Sequence, residues 1–140
     1  MEKGKGEGRA KADGRIRDFT DLETWQTARR LRKAVFELTK SFPPEERYGL
    51  LSQMRRAAGS ITANIAEGYG RFSFQENIQF CRHSRASTYE LRDHLTSAFD
   101  AGYATREQCR DLNALSMSVI RLLNGYIRST QKLQWAAETR

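Results

Sequence analysis

Apolar residues recur at three- and four-residue steps through four separate segments of this chain, and no segment alternates in the manner of a strand. The first stripe is Leu22, Trp25, Ala28, Leu31, Val35, Leu38 and Phe42. The second is Met54, Ala57, Ala58, Ile61 and Ile65. The third is Phe74, Ile78, Cys81, Ser84, Thr88, Leu91, Leu95 and Ala98. The fourth is Leu112, Leu115, Val119, Leu122 and Tyr126, widened by Ile120, Leu123 and Ile127. Steps of this size place the stripe on one face of a helix, which must then be buried against other helices. With 140 residues there is enough chain for one such core. The expectation is an all-α, antiparallel up-down-up-down four-helix bundle.

The junctions carry their own signals. Thr20 or Asp21 is expected to cap the first helix, and Ser41-Phe-Pro-Pro44 to stop it, because proline lacks a donor and restricts its predecessor. The second helix is expected to start just after Pro43-Pro44, with Glu45 and Glu46 in its first turn, and to run about 35 Å to Glu67. Gly68-Tyr-Gly70 is expected to end it through a left-handed cap. Ser73–Glu76 and Thr105–Gln108 have the spacing of capping boxes. Residues 1–17, with four glycines before position 15 and no apolar cluster, read as a flexible basic leader. The bundle is expected over 18–133, and 134–140 as a frayed tail.

The second segment has an unusual polar side. Gln53, Arg56, Ser60, Asn64 and Glu67 share one helical face, among alanines and a glycine rather than long solvated side chains. Close packing against the third helix accounts for this, with Arg56 and Glu67 pairing with Glu90 and Arg85. A subunit contact and a ligand groove are the alternatives.

Charge bears on partners rather than on fold. The net charge is +7, from 24 Lys and Arg against 17 Asp and Glu. Residues 42–103 hold seven of each sign, so the excess falls in the leader and the outer helices. Arg29, Arg30, Arg32 and Lys33 come from the first helix. Arg106, Arg110, Arg121, Arg128 and Lys132 come from the fourth. First and last helices are neighbours in an up-down bundle, so one positive side able to hold RNA or DNA phosphates is expected, against the alternative of a solvated face.

Little supports catalysis. His83 and His94 are the only histidines, and Glu90 and His94 are four apart rather than the three of di-iron bundles. Ser60, Ser84 and Ser87 have no base nearby in sequence. Trp25 reads as a core anchor and Trp135 as a tail aromatic. Cys81 and Cys109 are separate and read as reduced, mostly buried thiols, with a disulfide between them as the alternative. The reading is a non-enzyme without metal, cofactor or small-molecule substrate, with no membrane span and no secretory signal, working in the cytoplasm.

Three runs resemble a known family. They are Trp25-Gln26-x-Ala28, then Leu38-Thr39-x-x-Phe42-Pro43, then Tyr48-Gly49-Leu50. A longer run, Gln53-x-x-Arg56-Ala57-x-x-Ser60-Ile61-x-x-Asn64-Ile65-Ala66-Glu67-Gly68, resembles it more specifically. So does Ser84-Arg85-Ala86-Ser87-x-x-Glu90-Leu91, where glycine is more usual than Ala86. The family is that of four-helix-bundle proteins encoded in intervening sequences of bacterial 23S ribosomal RNA genes. The resemblance implies self-assembly into a ring-like homopentamer. Related bundles are the accessory variability proteins of diversity-generating retroelements, basic pentamers that bind a reverse transcriptase and nucleic acid. The expectation is therefore a basic oligomeric scaffold serving nucleic acid or a nucleic-acid enzyme. The alternative is a structural or protein-interaction oligomer with no nucleic-acid role.

Overall fold

The computed structural model describes residues 14–139. Four α-helices make up most of it: α1 Glu23–Thr39, α2 Leu50–Tyr69, α3 Phe74–Asp100 and α4 Arg106–Glu138. Short 3-10 turns over Phe19–Asp21 and Pro44–Glu46 precede α1 and α2. No strand occurs among the described residues. Of the expected leader, residues 1–13 lie outside the described part, and Gly14–Arg17 is exposed and non-helical.

The stripes meet in one core. Ala28, Leu31 and Val35 of α1 are fully buried with Met54, Ala57, Ala58 and Ile61 of α2. Cys81, Leu91 and Ala98 of α3 and Val119 and Leu123 of α4 complete it. In α4 the buried face is Leu112, Ser116, Val119, Ile120, Leu123, Ile127 and Thr130. Leu115, Leu122 and Tyr126, expected as the main stripe, are only half-buried flanks. Likewise Phe74 of the third stripe is exposed.

The helix ends differ from expectation where side chains fold back. Asp21 does not cap α1. Its carboxylate accepts from the amides of Arg17 at 2.8 Å and Asp18 at 3.1 Å, which closes the 3-10 turn, and α1 starts after Leu22. Pro44, Glu45 and Glu46 do not begin α2 either. They form their own turn, and Glu46 Oε1 accepts from the Leu50 amide at 2.9 Å, so the carboxylate caps the helix from four residues upstream. The other Glu46 oxygen accepts from the Tyr103 hydroxyl at 2.8 Å. One carboxylate thus ties the α1–α2 junction to the α3–α4 junction.

Helix α2 continues to Tyr69, and Gly70 ends it in a right-handed conformation, φ −78°, not the expected left-handed one. Gly68 serves another purpose. A Cβ there would sit 2.8 Å from Asn77 Oδ1 and 2.9 Å from Phe80 Cβ, so its missing side chain lets α3 cross close by. A positive φ, +81°, occurs instead at Gly102 between α3 and α4. Ser73 Oγ accepts from the Glu76 amide at 3.2 Å, and the Thr105–Gln108 box is reciprocal, at 3.0 and 2.9 Å. Over 134–138, where fraying was expected, α4 stays helical through Glu138.

Candidate nucleic-acid interface

The polar face of α2 divides into a working middle and a wet rim. Ser60 Oγ lies 2.9 Å from Ser87 Oγ of α3. The Asn64 amide donates to the Ser60 carbonyl at 2.8 Å and to its hydroxyl at 3.0 Å. Beneath them, buried Ser84 Oγ donates to the Ile61 carbonyl, so the two helices touch nearly backbone to backbone. The rim does not carry the buried pairs expected of it. Arg56 reaches Glu90 at 3.0 Å, but the two side chains are 64% and 37% exposed. A pair this wet contributes below about 1 kcal/mol. Glu67 does not meet Arg85. It pairs with Arg71 at 2.8 Å, one turn along, while Arg85 donates to Asn124 of α4 at 2.6 Å. Gln53 is exposed. His94 Nε2 lies 3.1 Å from the same Glu90 oxygen that holds Arg56. No buried side-chain nitrogen or oxygen lacks a partner among the described residues.

The basic residues do not gather on one side. Arg30 and Arg121 line a shared groove between α1 and α4, beside Glu23 and Ser118. Farther along the same two helices Glu37 and Asp111 line the next groove, so the α1–α4 face changes sign along its length. Arg32 turns the other way and donates to Thr62 Oγ1 of α2 at 2.8 Å. Arg29 lies over the Trp25 ring, 5.8 Å from its centroid. Lys33 is exposed. Arg106 and Arg110 face α3, where Arg92 joins them. Arg128 and Lys132 flank Trp135 on the last turns of α4. The physical reason is helical phase: residues one or two apart, such as Arg29 and Arg30, point to different sides of the rod.

What sequence reasoning missed is the partnership of arginines with rings. Besides Arg29 over Trp25, guanidinium groups cover Tyr48 (Arg47), Phe36 (Arg55), Phe80 (Arg71), Tyr89 (Arg92) and Phe99 (Arg106), at 4.7–5.8 Å from the centroids. Among the described residues these six guanidinium groups all lie within about 6 Å of a ring centroid, the range of cation–π attraction. Pairs within one helix, Trp25 with Arg29 and Tyr89 with Arg92, have the visible spacing of four and three. Phe36 with Arg55 and Phe80 with Arg71 join different elements, and only the fold brings them together.

Neither cysteine is an activated thiol, though Cys109 is only half-buried. Both are free; burial pushes Cys81 up to about 12 and raises Cys109 as well. No cluster of three or more metal-ligating side chains occurs among the described residues, and no described helix is long and apolar enough to cross a membrane.

Comparison with known proteins places this arrangement. No curated protein matches the chain. Its fold is similar to the crystal structure of a protein with unknown function from the S23 ribosomal protein family of Bacteroides thetaiotaomicron. The TM-score is 0.69 at 23% identity, over 74% of this chain and 97% of that one. Residues 20–125 match the family described as 23S rRNA-intervening sequence protein, a span that runs from the first turn through most of α4. The chain belongs to the 23S rRNA-intervening sequence protein family.

Proposed function

We propose that this chain is a non-catalytic basic scaffold that self-associates and holds nucleic acid. The observation that carries the proposal is the set of six arginines laid against aromatic rings, three exposed and three half-buried, with Arg71 also held by carboxylates, in a chain of net charge +7. Arginine supplies phosphate attraction, and the paired ring holds the guanidinium in place and offers a surface for bases. Arg30 with Arg121 and Arg128 with Lys132 add two further cationic sites along the rod, and Arg110 joins Arg106. A homopentameric ring, the assembly that the family resemblance implies, would repeat these sites around an axis and multiply weak contacts into firm binding. A reverse transcriptase copying a held RNA template is the kind of enzyme such a scaffold would serve.

The test is titration of RNA and DNA against the full chain at rising salt. Binding whose logarithm falls linearly with log salt supports the reading, and binding indifferent to salt overturns it. A second reading, a structural oligomer with no nucleic-acid role, is favoured by exposed Phe72, Leu133 and Trp135. It predicts a multiple of the chain mass in native mass measurement together with no salt-sensitive binding.

A further inference from the structure

The groove between the C-terminal half of α3 and the first turns of α4 sets an apolar lining beside the cations Arg92, Arg106 and Arg110. It is a shallow groove, largely open to solvent, with a volume of about 560 Å³. Its floor is apolar, formed by Leu95, Cys109 and the ring of Phe99. Its rim carries Arg92, Arg106 and Arg110, and no carboxylate is among the described residues that line it. Two short polar groups stand between, the Thr96 hydroxyl and the Asn113 amide.

These parts are held from within. Arg92 Nε donates to Asn113 Oδ1 at 2.8 Å, which fixes the amide and leaves its NH2 side as a donor. Arg106 lies over Phe99, 5.5 Å from the ring centroid, which presents a cation beside a flat apolar wall. Cys109 Sγ donates to the Leu95 carbonyl at 3.6 Å and turns toward the floor.

We propose that this groove takes one nucleotide of a single strand, the base against Phe99 and the strand's phosphates on Arg92, Arg106 and Arg110. The inference rests on the scaffold reading and gives it a specific site. Three cations on two helices suit a run of phosphates better than a single one. An aliphatic anion would use the floor and the arginines but leave the Asn113 NH2 group without work, whereas the Thr96 hydroxyl already donates to the Arg92 carbonyl at 3.3 Å. A duplex keeps its bases stacked and cannot offer one to the floor.

Cys109 reports on the groove directly, because it lines the floor while Cys81 is fully buried. The experiment alkylates the full chain at mildly alkaline pH and follows Cys109 by mass spectrometry. The additions are a homopyrimidine single strand, the matching duplex or the free mononucleotide. The expected result is that the single strand slows Cys109 alkylation about ten-fold and the duplex leaves it unchanged. In parallel, Phe99→Ala, its helicity checked by circular dichroism, weakens single-strand affinity about ten-fold, the usual loss for one stacked base. It leaves duplex affinity within about two-fold, since phosphate contacts alone carry duplex binding.

Salt-sensitive strand binding with Cys109 alkylated at its free rate and Phe99→Ala unaffected would overturn the groove while the scaffold stands. Protection by the mononucleotide as complete as that by the strand would overturn the strand as occupant. Failure of every nucleic acid to bind would remove the scaffold reading itself.

Discussion

Gly68 has no room for a side chain, and that single position governs how near α3 can approach α2. Both atoms that a Cβ would strike, on Asn77 and Phe80, belong to residues with further engagements: Asn77 donates to Tyr126 at 3.1 Å, and Phe80 lies under Arg71. Neither can give way cheaply. Gly68→Ala should therefore destabilise the fold by about 1–3 kcal/mol, despite alanine's better helix propensity, and thermal unfolding would show it as a lower midpoint. A midpoint at or above that of the parent would mean that the helices have slack there. The sequence pointed to a tight α2–α3 seam through the short polar residues Ser60 and Asn64 on one side and Ser84 on the other, and read Gly68 only as a helix stop. It did not show that Glu67 and Arg56 lie at the water's edge. Helical phase separates a buried face from its flank by a fraction of a turn, and long side chains can bend either way from that boundary.

Among the elements, the junctions were the least legible and the helices the most. Periodicity located α1 to α4, yet the start of α2 was displaced by the turn at Pro44–Glu46, a non-local outcome because Glu46 is held by Tyr103, 57 positions away. The hydrogen bond from the Leu50 amide, and then that from Tyr103, hold the Glu46 carboxyl below its ordinary range. The same bond to Glu46 raises the Tyr103 phenol. A lowered carboxyl contributes stability that is whole at neutral pH and is lost as pH falls through its folded value. A raised phenol contributes stability that is whole below its ordinary value, about 10, and is lost as pH rises through the folded one. Glu46→Gln should remove part of the acid-side fall in melting temperature and part of the alkaline-side fall. Unchanged slopes on both sides in pH-dependent melting would show that the two junctions are tied by something else.

At the scale of the whole molecule, charge and shape act together. The family match and the fold likeness cover the bundle, and the arginine–ring pairs and the divided basic faces lie on its surface. Composition revealed the surplus of positive charge but could not reveal its division, because helical phase and the acids Glu37 and Asp111 break up the α1–α4 face. Dispersed cations predict many modest contacts rather than one strong patch. The slope of log affinity against log salt for a single strand should then be about −0.7 for each phosphate neutralised. Removing both Arg106 and Arg110, as glutamines, should lower its magnitude by about 1.4. A slope unaltered by this double change would place the phosphates on other faces.

The near-contact of Ser84 with the Ile61 carbonyl has a temporal consequence. Where two rods meet with so little between them, solvent can reach the amides only after the rods part. In heavy water, the amides of Ile61 to Ile65 and of Ser84 to Thr88 should be the last to take up deuterium, well after those of α1, which is exposed along its outer side. Early labelling at Ile61 would mean that the innermost layer breathes as readily as the shell.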